Sequence, residues 1–204
     1  MYPDSQDIAS LISSRICHDL ISPIGAISNG LELMQMSAPA SGPEYDLISD
    51  SVASATARIN FFRVAFGPDG GGLELSQNEL RQTLDAFYAG SRVRVVWNLS
   101  GPVPRPLAKL ALLLVLSVDS WLPLGGTLTV TAEGDAWQIE ANADRINVNP
   151  DTLAHLVGKD AQPVLKPSEI HFELARRLAS QVTQGLTVDQ AERGPVLRYQ
   201  ANLG

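Results

Sequence analysis

A histidine followed directly by a carboxylate, His18-Asp19, is the pair of side chains in this sequence best suited to chemistry. A neutral imidazole nitrogen is a good nucleophile near pH 7, and a neighbouring carboxylate biases which ring nitrogen carries the proton. Phosphoryl transfer depends mainly on positioning and charge stabilisation. The pair therefore predicts a phosphoryl carrier in which His18 attacks, Asp19 supports the imidazole, and Ser22, one turn on, hydrogen-bonds near the phosphoryl group.

Residues 8–36 must form the element that positions this pair, because they carry the clearest helical periodicity in the chain. At about 100° per residue one stripe of the helix is apolar, and it consists of Ile12, Ile16, Leu20, Ile24, Ile27, Leu31 and Met34. The opposite face is small or polar and consists of Ser14, Arg15, His18, Ser22, Gly25, Asn29 and Glu32. We expect His18 to face away from the core, with Pro23 bending the helix just beyond it. The predicted docking face for a partner is formed by Arg15, Gly25 and Asn29.

A second helix is predicted over residues 44–66, with Gly67 as its C-terminal stop. Its apolar stripe is thin and consists of Leu47, Ser51, Ala55, Ile59, Phe62 and Phe66. Two antiparallel helices of this length cannot cover both apolar stripes. A four-helix bundle made by two chains covers them most simply, so we expect a homodimer.

The glycine-rich segment 67–72 is the clearest linker in the chain. It divides the sequence into a helical hairpin at residues 1–67 and a second domain at residues 73–204. In the second domain helices are predicted at 77–90, 104–121, 150–157 and 168–181, and strands at 92–98, 127–131, 137–143, 186–188 and 196–201. This order predicts an α+β fold with helices packed against a mixed sheet.

The composition disfavours several classes of protein. A formal net charge of −7 without a run of Lys or Arg argues against nucleic-acid binding. The N-terminus has neither the basic nor the apolar region of a signal peptide, and the longest apolar run, residues 110–116, is too short to span a bilayer. One cysteine, Cys17, favours an intracellular setting. We expect a cytoplasmic protein with no membrane partner.

Other chemistry for the histidine is less well supported. A metal site needs convergent ligands, and the other two histidines, His155 and His171, lie on separate predicted helices without close ligand spacing. Cys17 is about 100° from His18 on the helix, which disfavours a Cys-His pair. An ordinary surface histidine remains the alternative to a phosphoryl carrier.

Residues 17–33, CHDLISPIGAISNGLEL, resemble the H-box of bacterial sensor histidine kinases, in which an acidic residue follows the histidine and a proline lies five positions after it. They are more similar to the ChpT-type histidine phosphotransferases of alphaproteobacteria, whose H-box runs HDLxSPxGAIxNGLEL. The resemblance implies a dimeric four-helix bundle followed by a degenerate ATPase-like domain of the Bergerat (GHKL) type. Residues 122–128 resemble the segment entering the central hairpin of that domain, and residues 171–185 resemble its last helix.

The chain departs from the kinases at the positions that hold nucleotide. Residues 110–120 are mostly apolar where a kinase has its N-box asparagine, residues 141–146 lack the Asp-x-Gly-x-Gly pattern, and residues 166–170 contain a proline instead of a glycine-rich loop. An apolar helix and a stiffened loop cannot cradle a triphosphate through backbone N–H groups. We expect no ATP and no other cofactor, with Mg²⁺ held only by a partner receiver domain.

The resemblance implies a histidine phosphotransferase that passes a phosphoryl group between receiver-domain aspartates through His18. The implied partners are the receiver domain of a hybrid histidine kinase and response regulators of cell-cycle control. A divergent histidine kinase that binds ATP and a non-catalytic dimeric adaptor are the two alternatives. Arg176 and Arg177 are candidate partner contacts in the second domain, although we favour ordinary helix surface for both.

Overall fold

The computed structural model describes residues 5–36, 42–67, 73–158, 164–191 and 194–201 of the 204-residue chain. Two long helices come first, α1 (Ser5–Met36) and α2 (Pro43–Ala65). The later helices are α3 (Gln77–Phe87), α4 (Arg105–Asp119), α5 (Pro150–Leu156) and α6 (Ile170–Val182), with a 3-10 helix (Pro167–Glu169) directly before α6. The strands are β1 (Glu74–Leu75), β2 (Val93–Asn98), β3 (Val103–Pro104), β4 (Gly126–Glu133), β5 (Ala136–Asn142), β6 (Thr183–Ala191) and β7 (Gly194–Ala201).

Five strands form one mixed sheet in the order β2-β4-β5-β7-β6. Strand β2 runs parallel to β4, which requires the crossover through α4, and the remaining pairs are antiparallel. The two short strands β1 and β3 pair antiparallel in a separate ladder. The fold is therefore α+β with a mixed sheet, as the sequence predicts.

Helices α4 and α6 pack against each other beside the sheet and form the centre of the core. In α4 every residue from Leu110 to Val118 is at most 4% exposed, so this helix is buried on all sides. The core also includes the C-terminal turns of α2, where Phe61 and Phe62 are buried. Phe61 stacks on Phe87 of α3 with the ring centroids 4.0 Å apart.

The hairpin covers only part of the predicted apolar stripe of α1, in which Leu20, Ile27 and Met34 are partly buried. Pro23 and Gly30 are buried, whereas the stripe residues Ile24 and Leu31 are 57% and 49% exposed. On α2, Ile59 of the predicted stripe is 52% exposed. A single hairpin therefore leaves part of each predicted apolar stripe uncovered.

The predicted elements agree with the structure within a few residues at each end. Helix α1 begins three residues earlier than predicted, and strand β6 extends three residues beyond the predicted residues 186–188 on each side. The two-residue strands β1 and β3 were not predicted, because a pair so short carries no periodicity. The core of the predicted linker, residues 68–72, lies outside the described residues. Within the described part of the chain, no helix combines the length and the apolar character needed to cross a membrane.

Candidate functional site

His18 lies near the middle of α1, which runs from Ser5 to Met36 and passes through Pro23 without a break. Proline has no backbone N–H, so the carbonyl of Asp19 lacks the donor that residue 23 would otherwise supply. The side chains of Arg15, Cys17 and His18 lie outside the described part of the structure. The backbone places His18 and Arg15 on the helix that the sequence predicts, and the bend at Pro23 stays a prediction.

The described residues that share a helical face with His18 are small, polar and open to solvent. Ser22, Gly25 and Asn29 follow the histidine at intervals of four, three and four residues, the spacing of one helix face. All three are exposed, and no atom lies within 4 Å of a Cβ built on Gly25. Asp19 is partly buried. This face can admit a large partner because no bulky side chain lies on it between residues 22 and 29.

In the second domain, the 3-10 helix Pro167–Glu169 and α6 contact α1. The second domain is thus a neighbour of the helix that carries His18. This contact was not predicted, because the sequence pattern says nothing about how the two parts pack.

The turn before α6 uses its own backbone N–H groups. The N–H of Lys166 donates to the Glu169 carboxylate at 3.0 Å, and the N–H of Glu169 donates to the Lys166 carbonyl at 2.8 Å. Phosphate binding at a helix N-terminus needs such donors to point at the ligand. In this turn the chain itself accepts both hydrogen bonds.

The space between α4 and α6 is filled with side chains. The hydroxyl of Ser117, a polar group in the last turn of α4, donates to the Leu113 carbonyl at 2.9 Å and is fully buried. At the end of α4, the rings of Trp121 and Phe172 lie 5.9 Å apart between centroids. Among the described residues there is no group of three or more His, Cys, Asp or Glu side chains that could hold a metal ion.

A buried carboxylate joins α5 to α6, and the sequence analysis did not single it out. Glu173 is 0% exposed and accepts hydrogen bonds from Arg176 Nε and Nη2, each at 2.9 Å, and from Arg177 Nε. His155 Nε2 lies 2.7 Å from the same carboxylate. The favoured interpretation of Arg176 and Arg177 as ordinary helix surface was wrong, because both hold this buried charge. Their spacing of three and four residues from Glu173 was the available signal.

The electrostatics of Glu173 follow from these contacts. Burial acts to raise its pKa, because removing a carboxylate from water penalises the charged form. The hydrogen bonds and charges of Arg176 and Arg177 together outweigh that effect and lower the pKa below its ordinary value of 4.5. Glu173 is therefore an anion that stabilises the junction of α5 and α6.

A family model connects this architecture to known proteins. The model for the histidine phosphotransferase C-terminal domain matches residues 77–194, more than half of the chain. The chain belongs to this family. The matched segment runs from the first residue of α3 to the first residue of β7, and α1 precedes it in the chain.

Individual relatives agree with the family. The protein phosphotransferase ChpT of Brucella abortus (strain 2308) is 35% identical over 130 residues, which make up 63% of this chain and 62% of that protein. The match thus spans less than two thirds of ChpT. The solved 1.7 Å structure of a bacterial phosphotransferase has a TM-score of 0.80 and 24% identity, and the alignment covers 98% of this chain and 100% of that chain. The helical hairpin followed by the α+β domain is therefore a fold that this chain shares with a solved phosphotransferase.

Proposed function

We propose that this protein is a histidine phosphotransferase of a two-component phosphorelay. It takes a phosphoryl group from the aspartate of one receiver domain onto His18 and passes it to the aspartate of another. The observation that carries the proposal is the small, exposed face of α1 at Ser22, Gly25 and Asn29, which follows His18 in a chain of the histidine phosphotransferase family. The H-box resemblance and the name of the 35% identical relative support the same activity.

In the proposed reaction an imidazole nitrogen of His18 attacks the phosphorus of an aspartyl phosphate. A P–N bond forms while the P–O bond to the aspartate breaks, and the aspartate leaves as a carboxylate. Asp19 stabilises the imidazole proton, and Ser22 donates a hydrogen bond near the phosphoryl oxygens. The second transfer is the reverse reaction with the aspartate of a different receiver, and the receiver supplies Mg²⁺ in both directions.

In this proposal the protein works without ATP or another cofactor of its own. The direct packing of α4 on α6 and the buried residues of α4 support this part of the proposal. The backbone N–H groups of Lys166 and Glu169, which are already hydrogen-bonded within the chain, support it as well. A nucleotide placed between α4 and α6 would have to displace buried apolar side chains.

The functional unit in this proposal is a homodimer. Exposed apolar side chains recur every seven residues on both helices of the hairpin, as Ile24 and Leu31 on α1 and as Tyr45, Val52 and Ile59 on α2. A seven-residue repeat of apolar positions is the pattern of helices that pack against further helices. A second copy of the hairpin presents the same repeat and would cover both rows in a four-helix bundle.

The proposed partners are the receiver domain of a hybrid histidine kinase as donor and the receiver domains of response regulators as acceptors. The exposed polar face of α1 supports a protein partner rather than a small molecule. A cytoplasmic location is part of the proposal, and the single cysteine of the chain supports it.

The test is transfer from a receiver domain phosphorylated with ³²P. Wild-type protein should acquire label that is stable to base and labile to acid, and His18→Ala should acquire none while keeping its helical circular dichroism. Label on His18→Ala would overturn the assignment of the phosphoryl carrier. Binding of a receiver without uptake by the wild type would favour an adaptor, and micromolar affinity for Mg-ATP in calorimetry would favour a kinase.

A further inference from the structure

Arg105, the first residue of α4, is hydrogen-bonded to the chain on both sides of the predicted linker. Its guanidinium Nη2 donates to the carbonyl of Arg63 in the last turn of α2 at 3.1 Å. Its backbone N–H donates to the carbonyl of Leu73, just after the linker, at 2.9 Å. One residue thus ties the end of the hairpin and the start of the second domain to the same helix.

Lys109 strengthens the contact one turn further along α4. Its ammonium donates to the carbonyl of Gly67 at 2.8 Å. The carbonyls at a helix C-terminus carry partial negative charge, so Arg105 and Lys109 are two cations placed where α2 attracts them. A Cβ on Gly67 would lie 2.1 Å from the Arg63 carbonyl oxygen, so only glycine permits this tight end.

Strand pairing and apolar packing also connect the two parts of the chain close to the linker. Strand β1 pairs with β3, which leads directly into Arg105, and the last turns of α2 are buried in the core with Phe61 stacked on Phe87. Apolar packing is not directional, so it holds the end of α2 without setting its rotation. The two hydrogen bonds from Arg105 and Lys109 reach specific carbonyls, so they are directional contacts at this end of α2.

We infer that Arg105 and Lys109 are positioning residues that hold the hairpin and the second domain as one rigid body. The catalytic consequence of this inference rests on the proposed function. It is that α1 and the second-domain elements beside it meet a receiver domain in a preset arrangement. Contacts from α4, rather than the length of the linker, then determine the orientation of the two parts. Preorganised surfaces bind more tightly because less ordering is required on association.

The first experiment changes the contacts and the linker separately. Arg105→Met/Lys109→Met should raise the receiver concentration for half-maximal transfer by about tenfold and leave the maximal single-turnover rate within about twofold. Insertion of Gly-Ser-Gly after Gly71 should change neither value by more than about twofold, because lengthening a loop costs little. The insertion in the double variant should weaken binding further. Lys109→Arg keeps the positive charge and the hydrogen-bond donor, so it should behave as the wild type. Arg94→Met, at an exposed arginine on β2, is the control for the loss of a positive charge.

A second experiment measures the rigid body without any phosphotransfer. Spin labels are placed on Asp50→Cys in α2 and Glu140→Cys in β5, both exposed, in a Cys17→Ser chain diluted into unlabelled protein. The distance distribution should be narrow in the wild type and in the insertion variant and broad in the double variant. A narrow distribution in the double variant, or a broad one in the insertion variant, would overturn the inference. Loss of transfer by the wild type would instead overturn the proposed function and leave this readout intact.

Discussion

Gly30 of α1 lies directly against Ile48 of α2, so that a Cβ built on Gly30 would be 2.5 Å from Ile48 Cγ1. Gly25, on the same helix, has no atom within 4 Å of the corresponding position. The two glycines therefore have opposite roles. Gly30 lets α2 approach α1 closely, and Gly25 keeps the proposed docking face of α1 open.

These surroundings predict opposite effects of alanine on stability. Gly25→Ala should stabilise the protein by up to about 1 kcal/mol, the gain in helix propensity. Gly30→Ala should destabilise it by up to about 2 kcal/mol, because overpacking against Ile48 costs more than that gain. Urea unfolding followed by circular dichroism measures both. Equal effects of the two substitutions would mean that α1 does not pack on α2 through Gly30.

The buried cluster predicts a loss of stability in acid. The pKa of Glu173 is lowered in the folded state, so its contribution to the free energy of unfolding is present above about pH 4.5 and is lost as the pH falls through the folded value. Glu173→Gln should destabilise the protein by about 3 kcal/mol at pH 7, because Arg176 and Arg177 lose their partner. It should also remove part of the acid dependence seen in the wild type.

Unfolding by denaturant at several pH values between about 3 and 7 measures this prediction. Glu133→Gln, at an exposed position on β4, is the matched control and should follow the wild type. If Glu173→Gln and the wild type lost stability in parallel on acidification, the carboxylate would not be the charged centre of the cluster.

The support of His18 by Asp19 predicts a slower chemical step. Asp19→Asn should lower the maximal rate of phosphoryl transfer by about a hundredfold, the range of a proton-handling group, while some uptake remains because His18 is unchanged. Rapid-quench measurement at saturating phosphorylated receiver gives this rate. Asp50→Asn, an exposed carboxylate on α2, should transfer at the wild-type rate. A higher receiver requirement with an unchanged maximal rate would assign Asp19 to docking instead.

The exposed seven-residue repeat predicts which substitution separates the dimer. Val52 is 48% exposed in the single chain, and Val52→Asp would place a charge inside the proposed bundle. Burying an unpaired charge is costly, so the dissociation constant should rise by at least about a hundredfold. Light scattering across a concentration series measures it. Ser54→Asp, at an exposed position on another face of α2, should remain dimeric, and a monomeric wild type would refute the bundle.

The sequence predicted the elements whose signals are local. The span of α1 and the central β4–β5 hairpin both depend on neighbouring residues. The position of His18 on α1 and the exposure of Ser22, Gly25 and Asn29 follow from the helical period in the same way. Such features need no knowledge of distant contacts.

Only the tertiary structure determined how the parts join. The linker composition predicted a domain boundary at residues 67–72. The structure adds that Arg105 bonds to carbonyls on both sides of this linker and that the end of α2 belongs to the common core. Arg176 and Arg177 looked like helix surface until Glu173 was found buried beneath them. Periodicity reports which face of one helix is apolar, but the partner of a side chain depends on segments far apart in sequence. For that reason a short motif places His18 on α1, and the sequence does not show which segments of the second domain lie beside that helix.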